Sequence, residues 1–130
     1  MVVLFVMKTI ILCGSMKVKN KIFEVKEILG RYGFKVLLPE ECIKNINKKE
    51  ESWSHFNRIV SNDAYVLIVN EVKDSIKNYI GPNSLCEIAF AFYFNRKIFL
   101  LNDIYEPYKD ELSAWGVISL NGDLEKMKNY

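Results

Sequence analysis

Short runs of consecutive apolar residues alternate along this chain with longer stretches in which apolar residues recur every three or four positions. Five such runs predict strands, over 9–13, 34–38, 64–69, 97–101 and 117–120. Strands that are apolar throughout are buried on both faces, as in parallel sheets covered by helices. Helical spacing predicts helices from Ser15 to Gly33, over 52–60 and over 83–95, with a short tail helix from Leu124.

The alternation of strand and helix predicts an α/β fold with a five-stranded parallel sheet and right-handed crossovers. Its architecture is a flavodoxin-like or Rossmann-like doubly wound three-layer sandwich. The chain has 130 residues, which is the usual size of one domain, so we expect residues 1–130 to form a single unit. Half of the residues are apolar and 26% are charged, a composition that excludes intrinsic disorder.

Composition also narrows the partners and the compartment. The net charge of +2 gives too weak a field to suggest nucleic acid or an anionic membrane. The apolar amino terminus is shorter than the roughly 20 residues that span a bilayer and has no basic leader, so we predict neither a membrane anchor nor a signal peptide. Met7 is an alternative start, which makes residues 1–6 an extension of the first strand or a start-site artefact. Cys13, Cys42 and Cys86 show no CxxC spacing and predict reduced thiols in a cytoplasmic protein.

No cofactor or metal is expected from the motifs. His55 is the single histidine and has no cysteine at a ligand spacing, whereas structural zinc needs four ligands. The first loop, Gly14-Ser15-Met16, is neither a dinucleotide fingerprint nor a P-loop, although the amides that open the following helix suit an anion. A flavodoxin-type flavin site is a weaker alternative, because this loop lacks a cradle rich in serine and threonine.

In doubly wound sheets, ligands bind at the carboxyl ends of the strands, near the point where strand order reverses. Polar residues follow all five predicted strands, as Gly14-Ser15, Glu40-Glu41, Asn70-Glu71, Asn102-Asp103 and Asn121-Gly122-Asp123. Any strand must leave its sheet through a polar loop, so this edge alone does not identify a site. The segment 70–82 is long for a connection, which makes it a candidate functional loop. Within it, Tyr79 is a candidate to stack on a base.

Glu87 is the most informative single residue. It is the only charged residue between Lys77 and Arg96, in a helix that is otherwise apolar all round and is therefore predicted to be buried. A buried ionised carboxylate needs donors or a raised pKa, and such groups in clefts are functional candidates. Because the helix begins at the carboxyl edge, we expect Glu87 to face the crevice. The alternative to a functional role is a structural one, in which Glu87 hydrogen-bonds neighbouring backbone groups or lies in a subunit interface.

Two further features are candidate parts of a site around Glu87: the residues that begin its helix, and His55. Gly81-Pro82-Asn83-Ser84 begins its helix and offers amides and polar side chains to a sugar or phosphate, or simply caps the helix. His55 titrates near neutral pH and can act as an acid, a base or a donor, although lone histidines are more often structural. Asp63 directly precedes the third strand, so we expect it at the opposite, amino edge of the sheet.

Three segments carry a resemblance to a known family. They are ILCGSM at 11–16, HFNRIVSNDAYVLIVN at 55–70 and GPNSLCEIAFAFYFNRKIFLL at 81–101. On these segments the chain resembles the nucleoside 2-deoxyribosyltransferase superfamily, which includes 2-deoxynucleoside 5-monophosphate N-hydrolases and related nucleotide N-glycosidases. The resemblance covers most of residues 8–102. The family places its catalytic glutamate in a segment of the form small-polar-x-x-Glu-[Ile/Leu]-[Gly/Ala]-x-Ala, and Glu87 matches that position.

In the family this glutamate attacks the anomeric carbon and displaces the base, leaving a glycosyl-enzyme that another base or water resolves. The resemblance therefore implies N-glycosidic cleavage or (deoxy)ribosyl transfer on a nucleoside or nucleoside 5-monophosphate. It also implies that Gly14 and Ser15 hold phosphate, with Ser84 a looser match because it lies three residues before Glu87. A homodimer or larger homo-oligomer is implied as well.

The sequence departs from the family at three positions. His55 stands where the family has an aspartate that assists protonation or holding of the base, Gly81 where many members have another aspartate, and Ile11 where several have a tyrosine. These replacements leave open a non-catalytic nucleotide-binding or sensing module of the same fold. The candidate catalytic residues are Glu87 and His55. The candidate substrate-binding residues are Gly14, Ser15, Met16, Asn70, Tyr79, Gly81, Asn83 and Ser84.

Overall fold

The computed structural model describes residues 7–130, and the prediction for residues 1–6 lies outside them. All strand pairs of its five-stranded sheet are parallel, in the order β2-β1-β3-β4-β5. The strands are β1 (Thr9–Cys13), β2 (Lys35–Leu37), β3 (Tyr65–Ile68), β4 (Ile98–Leu100) and β5 (Ile118–Ser119). This is the flavodoxin-like strand order, so the predicted doubly wound α/β fold is confirmed.

Helices cover both faces of the sheet. They are α1 (Lys19–Arg31), α2 (Lys48–Ser61), α3 (Pro82–Tyr93) and α4 (Lys109–Ala114), with 3-10 turns at Met16–Val18, Glu40–Cys42, Glu106–Tyr108 and Leu124–Asn129. Successive strand residues point to opposite faces. On β1, Ile10 packs with residues of α1 and the carboxyl-terminal turn, whereas Ile11 packs with residues of α2, α3 and α4. Among residues 7–130, no helix has the length and apolar character to cross a bilayer.

The second helix begins four residues earlier than the predicted start at 52. Asn47 caps it: the Asn47 side chain accepts a bond of 2.9 Å from the Glu50 amide and donates one of 3.1 Å to the Glu50 carboxylate. The Asn-x-x-Glu pattern is that of a capping box, with Glu50 here accepting from the Asn47 side chain instead of its backbone N–H, and it brings Glu51 into the first turn of α2. Two further differences are that the tail is a 3-10 turn rather than an α-helix, and that the short helix α4 was not predicted.

The expectation that α3 is buried all round is wrong for one of its sides. Glu87, Ile88 and Ala91 are buried, but Phe92 is 47% and Tyr93 81% exposed. Helix α2 covers only part of α3, where Phe56 packs against Phe90 with ring centroids 4.8 Å apart. The homo-oligomer implied by the resemblance stays a prediction, for which this apolar side of α3 is the candidate contact surface.

Strand order reverses between β1 and β3, so a crevice is expected outside their carboxyl ends. The chain turns there at Gly14, where an added Cβ would lie 3.2 Å from the Val69 carbonyl oxygen and 3.3 Å from Cδ1 of Ile22. A side chain at this position would force the Val69 carbonyl or the Ile22 side chain to move by a few tenths of an ångström. The loop after β1 is therefore held against the end of β3, directly below the crevice.

Candidate active site

A cavity of about 350 Å³ opens at the carboxyl edge of the sheet. This volume lies within the range of small-molecule sites. Its lining comes from the loop after β1, the turn after β2, the first turn of α2, the loop 70–81 and the first turns of α3. The lining residues are Gly14, Ser15, Met16, Glu41, Lys48, Glu51, Lys73, Tyr79, Gly81, Pro82, Asn83, Ser84 and Glu87.

A second, smaller cavity of about 180 Å³ lies beside the first. Its wall includes His55, Phe56 and Cys86. Glu51, Asn83 and Glu87 line both cavities. The two spaces therefore meet around one carboxylate on α3 and one on α2.

Glu87 occupies the position that the sequence predicts. It lies in the second turn of α3, which begins at the carboxyl edge with Gly81 as its N-cap, and only 8% of the residue is exposed. One carboxylate oxygen, Oε2, lies 3.0 Å from Nδ1 of His55. Glu87 is thus a buried carboxylate that faces a cavity and is held by a donor, which is the arrangement required of a positioned nucleophile.

His55 is a buried residue at the wall of the smaller cavity and lies between two carboxylates. Its Nδ1 is 3.0 Å from Glu87, its Nε2 is 3.1 Å from Glu41, and only 3% of the residue is exposed. Burial opposes a charge on the ring, but the hydrogen bonds and charges of Glu41 and Glu87 outweigh it and raise the pKa of His55 from 6.5 to about 10. At neutral pH the ring is an imidazolium that donates to both carboxylates.

A second pair of carboxylates stands at the wall of the larger cavity. Burial acts to raise the pKa of Glu41, but the hydrogen bond from His55, a backbone hydrogen bond, the His55 charge and a hydrogen bond with Glu51 together outweigh burial, so that pKa is lowered. Burial and the neighbouring Glu41 charge and hydrogen bond raise the pKa of Glu51, against the opposing charges of Lys48 and His55. Glu41 is therefore the ionised member of the pair, and Glu51 is the member that holds a proton more readily.

Cys13, the last residue of β1, completes the buried cluster. Burial and the adjacent Glu87 carboxylate raise the pKa of its thiol well above the ordinary value of 9.0, so the thiol stays neutral. The possible ligand atoms of Cys13, His55 and Glu87 lie within 4.8 Å of one another, and these residue types can bind zinc. In this structure, however, both ring nitrogens of His55 are engaged by carboxylates. The arrangement suits a hydrogen-bonded network around Glu87.

The structure brings the predicted binding residues together at the larger cavity, with one exception. Gly14, Ser15, Met16, Tyr79, Gly81, Asn83 and Ser84 all line it. Ser15 also caps the 3-10 turn after it, since its hydroxyl accepts a bond of 3.2 Å from the Lys17 amide. Tyr79 lines the cavity with Nζ of Lys73 4.8 Å from its ring centroid and Gly81 against its ring edge.

Asn70 is the exception, because it lines neither cavity around Glu87. It is fully buried, its Oδ1 accepts a bond of 2.9 Å from the Asn102 amide, and its Nδ2 donates one of 2.8 Å to the Asp103 carbonyl. The Asn70 side chain therefore connects the backbone that follows β3 with the backbone that follows β4. Asp63 is exposed beside Thr9 and Tyr65 at the amino edge, as expected.

The sequence reasoning missed Lys48, Glu51 and Lys73, and it noted Glu41 only as one polar residue at a strand end. The Asn47-Lys48-Lys49-Glu50 capping box was the available signal for the earlier start of α2. With that start, Glu51 falls four residues before His55, on the same side of the helix. No comparable local signal identifies Lys73, because its position depends on how the loop folds back.

The sequence matches no family model and no curated protein. Among solved structures, the chain is similar to the Clostridium botulinum CMP N-glycosidase BcmB, with 18% identity and a TM-score of 0.66. The superposition covers 95% of this chain and 100% of that one. The family that the sequence resembles includes nucleotide N-glycosidases, and this neighbour is one. The resemblance is therefore confirmed at the level of the fold, and the 18% identity fits a divergent sequence.

Proposed function

We propose that this protein cleaves the N-glycosidic bond of a nucleoside 5-monophosphate or nucleoside, with Glu87 as the nucleophile. The observation that carries the proposal is the Glu87 carboxylate, 8% exposed, facing a cavity and held at 3.0 Å by the His55 ring. A buried carboxylate in an otherwise apolar helix costs free energy unless it is paired. The partner of Glu87 is the His55 ring, which holds the carboxylate at the cavity, and carboxylates held in clefts in this way are candidates for function.

The reaction proceeds in two displacements. An oxygen of Glu87 bonds the anomeric carbon as the bond to the base nitrogen breaks, and the base leaves with a proton. Water then attacks the same carbon, releasing the sugar and regenerating the carboxylate. If a second base attacks instead of water, the outcome is transfer. His55 acts as a positioning residue in this scheme, because both ring nitrogens are directed at carboxylates.

The cavity wall favours a monophosphate. Two lysines, Lys48 and Lys73, line it together with the hydroxyl of Ser15 and the polar groups of Asn83 and Ser84. Lysine ammonium groups form charge-assisted hydrogen bonds with a phosphate, whereas an uncharged nucleoside carries no negative charge for them to neutralise. The structural neighbour is named for its action on CMP, which makes CMP the first substrate to try.

The test is base release from a panel of ribo- and deoxyribonucleosides and their 5-monophosphates, with and without an added free base, followed by chromatography. We expect free base from at least one monophosphate, and a loss of about 10³-fold or more in the Glu87→Gln variant. Denaturing mass spectrometry should detect a glycosyl adduct on the peptide that contains Glu87. Glu27→Gln, the same change on the exposed side of α1, serves as the matched control.

Two results would contradict the proposal. One is tight binding of a nucleotide with no base release under any condition, which would favour a sensing module. The other is full activity in the Glu87→Gln variant, which would exclude this carboxylate as the nucleophile.

A further inference from the structure

The proposed cleavage requires a proton donor for the departing base, and His55 is badly placed to be that donor. Its two ring nitrogens lie 3.0 Å and 3.1 Å from carboxylate oxygens, and the residue is 3% exposed. A donor to the base must reach it directly or through one water. Both N–H groups of the ring already donate to Glu87 and Glu41. The proton for the departing base must therefore come from another residue at the cavity wall.

The cavity offers three carboxyl groups, and they differ in their partners. Glu87 and Glu41 each accept a bond from His55. Glu51 has no such bond; its nearest cation is Lys48 on its own helix, at 3.7 Å and on a side chain that is 67% exposed. Glu51 also lines both cavities together with Glu87. It therefore has access to the space that a base displaced from Glu87 would occupy.

We propose that Glu51 is the general acid that protonates the departing base, and that Glu41 positions the Glu51 carboxyl group. This inference rests on the proposed N-glycosidic cleavage and assigns a catalytic residue to it. Glu51 takes over a role that the resemblance assigns to an aspartate at position 55, where this chain has the buried histidine.

The charges around Glu51 fit this role. Glu41 faces it from the turn after β2, Glu87 from α3, Lys48 and His55 from its own helix, and Lys73 from the loop that lines the same cavity. Glu41 is held ionised by His55, so a proton shared between the two carboxyl groups resides on Glu51. Burial and the Glu41 charge raise the pKa of Glu51 and outweigh Lys48 and His55. An acid with a raised pKa stays protonated closer to neutral pH, as general acid catalysis requires.

The two steps balance with Glu51 included. In the first step the bond between the anomeric carbon and the base nitrogen breaks, its electron pair goes to the base, the base takes the proton of Glu51, and a Glu87 oxygen bonds the carbon. In the second step a water oxygen bonds the carbon, the bond to Glu87 breaks, and the Glu51 carboxylate takes a proton from that water. Water is consumed, the free base and the sugar leave, and both glutamates return to their initial states.

The experiment compares two leaving groups in the Glu51→Gln variant. One substrate is the monophosphate that the wild type cleaves best; the other is nicotinamide mononucleotide, whose base departs as a neutral pyridine and needs no proton. In a single turnover, we expect the variant to lose about 10² to 10⁴-fold in base release from the first substrate and to retain nicotinamide release, because the Glu51 proton is used for the first base only and the Glu51 carboxylate acts on both substrates in the later step with water. Glu50→Gln, one residue earlier and exposed, is the matched control and should leave both rates unchanged.

The pH profile provides the second readout. In the wild type, kcat/KM should fall at high pH as the acid loses its proton. The Glu51→Gln variant should lack this fall, and Glu51→Asp should restore part of it. If the wild type does not accept nicotinamide mononucleotide, the pH profile alone decides. Thermal unfolding followed by circular dichroism checks that the variants fold.

Equal losses with both leaving groups in a single turnover, or an unchanged fall at high pH in Glu51→Gln, would overturn the inference. A wild type that is active beside an equally active Glu51→Gln variant overturns this inference and leaves the proposed function intact. A wild type that releases no base from any substrate overturns the proposed function itself.

Discussion

Changing His55 to glutamine should remove a large pH-dependent contribution to stability. The wild-type ring is 3% exposed and bonded on both sides by carboxylates, which raise its pKa from 6.5 to about 10. A group whose pKa is raised on folding stabilises the native state fully below its unfolded pKa, and this contribution is lost as pH rises through the folded value. The window of loss for His55 is therefore from about pH 6.5 to about pH 10.

The magnitude follows from the same shift. One pKa unit corresponds to 1.36 kcal/mol, so raising the pKa of His55 to about 10 amounts to about 5 kcal/mol over the whole window. The slope is about 1.4 kcal/mol per pH unit, or about 2 kcal/mol between about pH 7 and pH 8.5. Near pH 6 we expect His55→Gln to be about 3 to 5 kcal/mol less stable than the wild type, because it leaves two carboxylates without their counter-charge.

Urea unfolding, followed by the fluorescence of Trp53 and Trp115, measures this dependence. Between about pH 7 and pH 8.5 other groups contribute little, because the chain has one histidine and the thiols of Cys13 and Cys42, whose pKa values are raised by burial, ionise only on unfolding near their ordinary value of 9.0. On the acid side, the lowered pKa of Glu41 stabilises the native state above about pH 4.5, and this contribution is lost as pH falls further. The contributions of His55 and Glu41 are therefore both present between about pH 4.5 and 6.5, where the raised pKa of Glu51 opposes them as pH rises.

Two outcomes would refute this reasoning. A wild-type free energy of unfolding that stays flat between about pH 7 and pH 8.5 would mean that the ring is not held as an imidazolium. An equal slope in the wild type and in His55→Gln would assign the pH dependence to other groups, such as the terminal amine.

Two substitutions, Asn70→Ala and Gly14→Ala, test the backbone contacts that hold the loops around the cavity. Asn70→Ala removes the side-chain partner of two backbone groups that follow β4, the Asn102 amide and the Asp103 carbonyl, so we expect a loss of about 1 to 3 kcal/mol in urea unfolding. Asn57→Ala, on the exposed side of α2, should cost little, and equal losses would contradict the role of Asn70. Gly14→Ala places a Cβ 3.2 Å from the Val69 carbonyl oxygen and should cost about 1 to 3 kcal/mol, with weaker substrate binding by titration calorimetry. Gly30→Ala, in α1 with open space around the new Cβ, should instead stabilise by about 0.5 to 1 kcal/mol, and a loss there equal to that at Gly14 would refute the close-approach argument.

Much of the fold was predictable from residues that are close together in the chain. The apolar runs predict β1, β3 and β4 because these central strands are buried on both faces and carry few polar side chains. The edge strands β2 and β5 are only partly buried and include Lys35 and Ser119. Glu87 was also predictable, since a single carboxylate in an apolar helix needs a special explanation. The start of α2 was missed although the capping box at Asn47 and Glu50 is local, because the apolar periodicity begins only at Trp53.

The working arrangement of the site depended on the tertiary structure. His55 lies 14 residues from Glu41 and 32 from Glu87, on separate elements, and no spacing rule predicts that one ring would bond both. Their meeting depends on the strand order, on the rotation of α2 and α3 about their axes, and on the turn after β2. The charge states then follow from distance and burial. The sequence therefore determined which residues are available for chemistry, and the packing of the helices on the sheet decided which of them share a proton.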